Sequence, residues 1–167
     1  MDVSLRELQQ TDLPLFFEFQ RDPDANLMAA FTAPDPDDRA AFDREWRNTL
    51  GDPQRLIRTI LVEDENGPGS LRSSRPGGYV MSFTDDAGLR QISYWIDPTL
   101  WGRGVVSKAL AEFLTLETRR PLHARVVSDN AASLRALSRC GFDRTGTETA
   151  FANARGAEAE ATLLRLA

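Results

Sequence analysis

The sequence predicts an α/β fold with a mixed, mainly antiparallel sheet flanked by helices, in which one central β-α-β unit supplies the parallel part. Three observations carry this. Leu89-Arg90-Gln91-Ile92-Ser93-Tyr94-Trp95-Ile96 is rich in β-branched and aromatic residues and reads as a strand. The period then changes: Val106, Ala109, Leu110, Phe113 and Leu114 recur at helical spacing, and Leu122-His123-Ala124-Arg125-Val126-Val127 reads as the next strand. Finally, residues 56–63 and 78–83, and later 144–151 and 159–166, read as strand pairs separated by turn-forming residues. A length of 167 residues with 41% hydrophobic content suits one domain, 1–167, with a single core.

Taken in order, Val3-Ser4-Leu5-Arg6 alternates and opens as a strand. Thr11-Asp12-Leu13-Pro14 starts a helix with proline in its first turn, and Leu15, Phe16 and Phe19 continue its apolar face. Asp22-Pro23-Asp24 stops it, and Ala33-Pro34-Asp35-Pro36-Asp37-Asp38 forms a second break. A helix over about 37–50 follows, with Phe42, Trp46 and Leu50 spaced by four as core packing requires. Segment 64–78 is a polar connection bearing glycine and proline, long enough to be mobile. Asp85-Asp86-Ala87-Gly88 turns into the central strand, which Asp97-Pro98 ends.

Gly102-Arg103-Gly104 lies between that strand and the next helix. Glycine allows close approach of the backbone, and a helix N-terminus offers unpaired N–H groups and a positive dipole end. Strand, glycine turn and helix together make a place to hold a phosphate. Downstream, Asp129 or Asn130 caps a helix that Gly141 closes at C′, so that Phe142 at C″ folds back on Leu137. Asn153-Ala154-Arg155-Gly156 turns between the last two strands, and no internal repeat, linker or second domain interrupts the chain.

Composition excludes several classes. The net charge of -5, with no basic run, argues against a general nucleic-acid binder. It suits cationic partners such as amines, and equally a solvated acidic surface. One cysteine excludes an internal disulfide framework and fits a reducing compartment. No apolar run is long enough to span a membrane and no signal peptide is evident, so a cytoplasmic protein is expected. No metal is expected.

Trp101-Gly102-Arg103-Gly104-Val105-Val106, followed by Ser107-Lys108-Ala109-Leu110, resembles the acyl-CoA loop and helix of the GNAT acetyltransferases. Asn130-Ala131-Ala132-Ser133 and the closing Gly141-Phe142 resemble that family's next helix at the expected distance downstream. Tyr-Trp-Ile before the loop and Asn-x-x-Ser after it are most similar to the branch that acetylates ribosomal-protein N-termini. The strong resemblance covers about residues 89–142. There are departures: Trp101 and Val106 stand where the family commonly has Gln or Arg and Gly or Ala. Leu137 stands where many members carry the tyrosine that protonates the leaving thiolate.

The resemblance implies transfer of an acetyl group from acetyl-CoA to a primary amine, on a small molecule or a peptide N-terminus, by direct attack in a ternary complex. It implies that Trp95, Ile96, Trp101, Gly102, Arg103, Gly104, Val105, Val106, Ser107, Asn130 and Ser133 bind the acyl donor. Backbone amides would hold the pyrophosphate, and a backbone N–H near Trp95-Ile96 would hold the oxyanion if the strand bulges or splays there. Arg103 adds a charge or is simply solvated; Asn130 contacts the pantetheine, caps its helix, or does both.

Ser133 is the candidate acid, one turn before Leu137 on the same face, with the further reading that it only supports the cap. Cys140 and Tyr94 stand behind it. Glu63, Asp97 and the sole histidine, His123, are possible bases through water, although a lone histidine in a strand is more often structural. Asn26, Met28 and Phe31, placed in the loop between the first two helices, are candidates for substrate contact. Relatives often form homodimers. A non-catalytic acyl-CoA-binding sensor is the alternative, given Leu137 and the lack of an evident base. A dinucleotide-binding domain ranks third, because the third glycine and a ribose-binding acid are missing, and the P-loop pattern is absent.

Overall fold

The structure, a computed structural model, describes residues 1–64 and 73–167. Seven strands form one sheet: β1 (Asp2–Glu7), β2 (Leu56–Asp64), β3 (Ser73–Thr84), β4 (Arg90–Ile96), β5 (Leu122–Val127), β6 (Asp143–Ala152) and β7 (Ala157–Leu166). Their spatial order is β1-β2-β3-β4-β5-β7-β6. Every neighbouring pair is antiparallel except β4 and β5, which are parallel. The helices are α1 (Leu13–Arg21), α2 (Pro23–Ala29), α3 (Arg39–Leu50), α4 (Val105–Leu116) and α5 (Ala131–Arg139). Among the described residues no helix is long and apolar enough to cross a membrane.

Side chains alternate across the sheet. On one face Ile60, Val62, Val80, Ile92 and Ile96 pack with Val105, Ala109, Leu110 and Phe113 of α4 and Leu134 and Leu137 of α5. Phe113 is fully buried there, so its truncation to alanine would cost about 3–5 kcal/mol. On the other face Phe16, Phe17, Phe42 and Trp46 of α1 and α3 cover Met81, with Tyr79 and Phe83 at its margin.

Local chemistry explains most helix ends. Asp38 caps α3 by accepting from Ala41 N–H at 3.0 Å. Of the two expected caps of α5, Asn130 does the work: its Oδ1 accepts from Ser133 N–H at 3.2 Å. At the far end Phe142 N–H donates to Leu137 O at 3.1 Å and Gly141 N–H to Ser138 O at 3.1 Å, the Schellman arrangement expected from Gly141-Phe142.

Four expectations need correction. Asp22-Pro23-Asp24 stops α1 only to start α2: Asp22 accepts from Ala25 N–H at 2.9 Å and Pro23 opens the first turn. Asn26 and Met28 therefore lie on a helix, not in a loop. Strand β3 begins at Ser73, so residues 73–78 of the expected connection are strand, with a register shift where Pro76 faces Leu61. The middle of that connection lies outside the described residues. Leu15 and Leu50 are exposed; Phe17 and Thr49 take the buried places, because the helices present a slightly rotated face to the sheet.

Two buried ion networks brace the frame. Asp12 takes both terminal nitrogens of Arg6 at 2.7 Å each, with Thr59 Oγ1 at 2.7 Å and Gln9 N–H at 2.9 Å. Burial opposes ionisation of Asp12, but these four donors win and hold its carboxyl below the ordinary value. Arg90, at the start of β4, donates to Glu117 just past α4 at 2.6 Å and to Ser82 at 2.9 Å.

Candidate active site

Strands β4 and β5 are in register at only one rung among the described residues, Gln91 with His123. Beyond it the strands part, and the edge of β4 that faces β5 has no strand partner. On its other side β4 stays paired with β3 through Gly78 and Ile96, and Asp97 N–H donates to Gly77 O at 2.9 Å. The approach there is so close that a Cβ on Gly78 would sit 2.0 Å from Trp95 O. Gly78, at φ +150°, is what lets β3 hold β4 in place at this point.

Two cavities abut at the parting. The first, about 370 Å³, lies between β4, the start of α4 and α5. The second, about 460 Å³, lies on the α1–α3 side and reaches β5. They share Ala29, Tyr94, Trp95, Asn130 and Ser133 in their walls.

Nearly every residue expected at the acyl-donor site lines the first cavity: Trp95, Ile96, Trp101, Gly102, Gly104, Val105, Val106, Ser107, Asn130 and Ser133. Arg103 does not; it is exposed beside the turn. Gly104, the N-cap of helix α4, is in the left-handed region at φ +74°, and the first bond of the helix runs from Lys108 N–H to Gly104 O at 3.2 Å. The N–H groups of Val105, Val106 and Ser107 precede that bond and have no acceptor within the helix. A Cβ on Gly102 or Gly104 would meet nothing within 4 Å, so an anion has open access to these amides.

The sequence reading missed Arg135 and Arg139, which add positive charge to the wall of this cavity. Their spacing of four on one helix face was the available signal.

At the junction Tyr94 OH and Ser133 Oγ are hydrogen-bonded to each other. Burial pushes the Tyr94 phenol up to about 12, while its bond to Ser133 lowers it. The phenol is therefore protonated at neutral pH, and either hydroxyl of the pair can donate to the other. Leu137, one turn further along α5, is fully buried in the core. Cys140 packs at the margin of that core, and burial pushes its thiol up.

The candidate bases are placed less favourably. Asp97 accepts from Arg75 at 2.9 Å and from Thr99 N–H at 3.0 Å, so its carboxylate is engaged in the turn. Glu63 lies on β2, opposite Asp2 of β1, two strands from β4. His123 sits on the closed rung with Gln91, and its Nε2 is buried without a hydrogen-bond partner.

Of the expected substrate contacts, Met28 lines the first cavity and Asn26 and Phe31 the second. Asn26 is buried and braces its own neighbourhood, donating to Gln20 O at 3.3 Å and accepting from Thr32 Oγ1 at 3.2 Å. Glu45, Tyr79 and Arg125 also line the second cavity. Nothing local marks them, since three separate elements bring them together.

A family model described as an acetyltransferase (GNAT) domain matches residues 2–143. The chain belongs to the GNAT acetyltransferase family. Solved structures of other GNAT proteins share the fold throughout. A phosphinothricin acetyltransferase from Sinorhizobium meliloti in complex with acetyl-CoA superposes with TM-score 0.76 at 19% identity, over 99% of this chain and 88% of that one. A ribosomal-protein-alanine N-acetyltransferase from Brucella melitensis gives 0.70 at 21% identity, over 98% of each chain. A spermidine N-acetyltransferase from Vibrio cholerae in complex with CoA and spermine gives 0.71 at 17% identity, over 98% and 94%. No curated protein matches the chain in sequence.

Proposed function

We propose that this GNAT chain transfers an acetyl group from acetyl-CoA to a primary amine, by direct attack in a ternary complex. The observation that carries the reading is the meeting of two cavities, one on each side of the sheet, at the hydrogen-bonded pair Tyr94–Ser133. The first cavity fits the acyl donor. Free amides at the start of α4 face open space, the helix dipole adds to them, and Arg135 and Arg139 suit phosphate. Asn130 spends its Oδ1 on the helix cap, and its Nδ2 makes no hydrogen bond among the described residues, which leaves that donor for a pantetheine carbonyl. Acetyl-CoA supplies the thioester carbonyl; the chain's residues do the rest.

An amine entering from the second cavity reaches the opening unprotonated and attacks that carbonyl. An unpaired N–H on the open edge of β4, around Trp95-Ile96, takes the negative charge developing on oxygen. The departing sulfur needs a donor. Tyr94, the stronger acid of the pair in character, donates to Ser133 Oγ and frees the serine hydroxyl to point at sulfur, each bond polarising the next. The amine's proton leaves through water, and proximity supplies much of the rate.

Calorimetric titration with acetyl-CoA, with NADH as control, tests the donor site. Thiol release against amines and N-terminal peptides tests the transfer. Tight binding of acetyl-CoA with amine-dependent release is expected. Binding without release on any acceptor would favour a sensor, and absence of binding would overturn the proposal.

A further inference from the structure

We infer that the acceptor carries an anionic group, a carboxylate in the simplest case, close to its reacting amine, and that Arg125 receives it; this rests on the transferase reading above. Only two charged side chains line the second cavity among the described residues, Arg125 and Glu45. Arg125 comes from β5, one of the two strands that border the opening. Its guanidinium carbon lies 4.1 Å from the centroid of the Phe31 ring, and its Nε donates to Glu148 of β6. Stacking on the ring and the partly exposed ion pair through Nε both restrain the group. Its two terminal nitrogens make no hydrogen bond among the described residues. That is a held guanidinium with a free fork, the shape that a carboxylate meets with two parallel bonds.

Glu45 belongs to the other end of the same cavity. It stands on α3, and its charge acts on Tyr79 of β3, whose phenol is raised by burial first and by Glu45 second. Strands β3 and β5 flank β4 on opposite sides, so the strand whose Tyr79 feels Glu45 lies across β4 from the strand that carries Arg125. The cavity is therefore polarised, positive beside the opening and negative away from it. An amine with a neighbouring carboxylate matches that order: its anion meets Arg125 while its nitrogen faces the opening. A peptide N-terminus has a neutral amide where this ligand has its charge, and a second anionic group would fall toward Glu45.

The test is steady-state kinetics with three matched sets of acceptors: α-amino acids, the same amines without the carboxylate, and the amino-acid amides. Wild-type protein should prefer the carboxylate set in kcat/KM by about 10- to 100-fold, the worth of a charge-assisted bidentate pair. Arg125→Gln should abolish the preference by raising KM for the carboxylate set alone, and Arg125→Lys should restore part of it. Equal rates for all three sets, or an Arg125→Gln loss shared by every acceptor, would overturn the inference. Acetyl-CoA titration of the same preparations separates the two levels. Binding, with transfer to uncharged amines only, leaves the transferase standing and removes the carboxylate; no binding removes both.

Discussion

The two ends of the β4–β5 pair are built on opposite terms. At the start of β4 the charged groups are paired: Arg90 donates to Glu117, Ser82 and Thr84, Arg119 joins Glu117 at 3.1 Å, and Gln91 shares a rung with His123. At its end the strands part, Trp95 Nε1 is buried without a hydrogen-bond partner, and the Tyr94–Ser133 pair stands between two cavities. The closed end supplies rigidity so that the open end can leave backbone and side-chain groups uncommitted. The buried Arg90–Glu117 pair thus lies at the closed end, and the two cavities meet at the open one.

The largest effect is expected from breaking the closed end. Glu117→Ala would strand the buried Arg90 charge and cost about 3–5 kcal/mol in chemical denaturation. The same carboxyl predicts acid sensitivity. Burial opposes its ionisation, but the hydrogen bonds from Arg90, Ser82 and Arg119 outweigh it and hold it below its ordinary 4.5. A depressed folded-state value means the stabilisation is complete above about pH 4.5 and is lost as pH falls through the folded value. Denaturation midpoints measured from pH 7 to pH 3 should drop steeply in the wild type and less steeply in Glu117→Gln.

Substitutions at the open end should invert that pattern. Tyr94→Phe and Ser133→Ala should each lower turnover by about 10- to 100-fold, at the low end for a proton-donating group because a thiolate leaves readily. Their cost in stability should be about 1 kcal/mol. The double variant should be no slower than the worse single one, since the two act as one chain; additive losses in kcat would show two independent roles.

Gly78→Ala probes the seat of the open end, because its methyl would meet Trp95 O at 2.0 Å. A loss of about 1–3 kcal/mol in thermal unfolding is expected, with weaker acetyl-CoA binding in what remains folded. The smallest effect belongs to the exposed pair Asp129–Arg155, where Asp129→Asn should cost no more than about 1 kcal/mol.

What could be read in the sequence divides along a similar line. Helices α4 and α5, strand β5 and the closing Gly141-Phe142 announce themselves through period and capping, which are local properties. Most of the wall of the first cavity came with them, because a glycine turn entering a helix is also local. Helix α2 was hidden because Asp-Pro serves equally as a stop and as a cap with its first-turn proline. The start of β3 was hidden because Ser73 to Gly78 is polar and bears proline, and only pairing with β2 makes it a strand. Tyr94 and Ser133 are 39 residues apart, so their bond is a product of packing alone. The second cavity is assembled from α1, α2, α3, β3, β4, β5 and α5, and no short pattern encodes it.

The single rung between Gln91 and His123 also gives the molecule a mechanical seam. It divides the sheet into a four-stranded part, β1 to β4, and a three-stranded part, β5, β7 and β6. Across that seam the halves are joined less by ladder hydrogen bonds than by the apolar cluster beneath, where Ile92 and Ile96 share a core with Leu122, Ala124 and Leu137. Ladders resist shear sharply and fail bond by bond, whereas apolar contact gives a softer, non-directional adhesion. The seam is thus held mainly by the softer of the two kinds of contact.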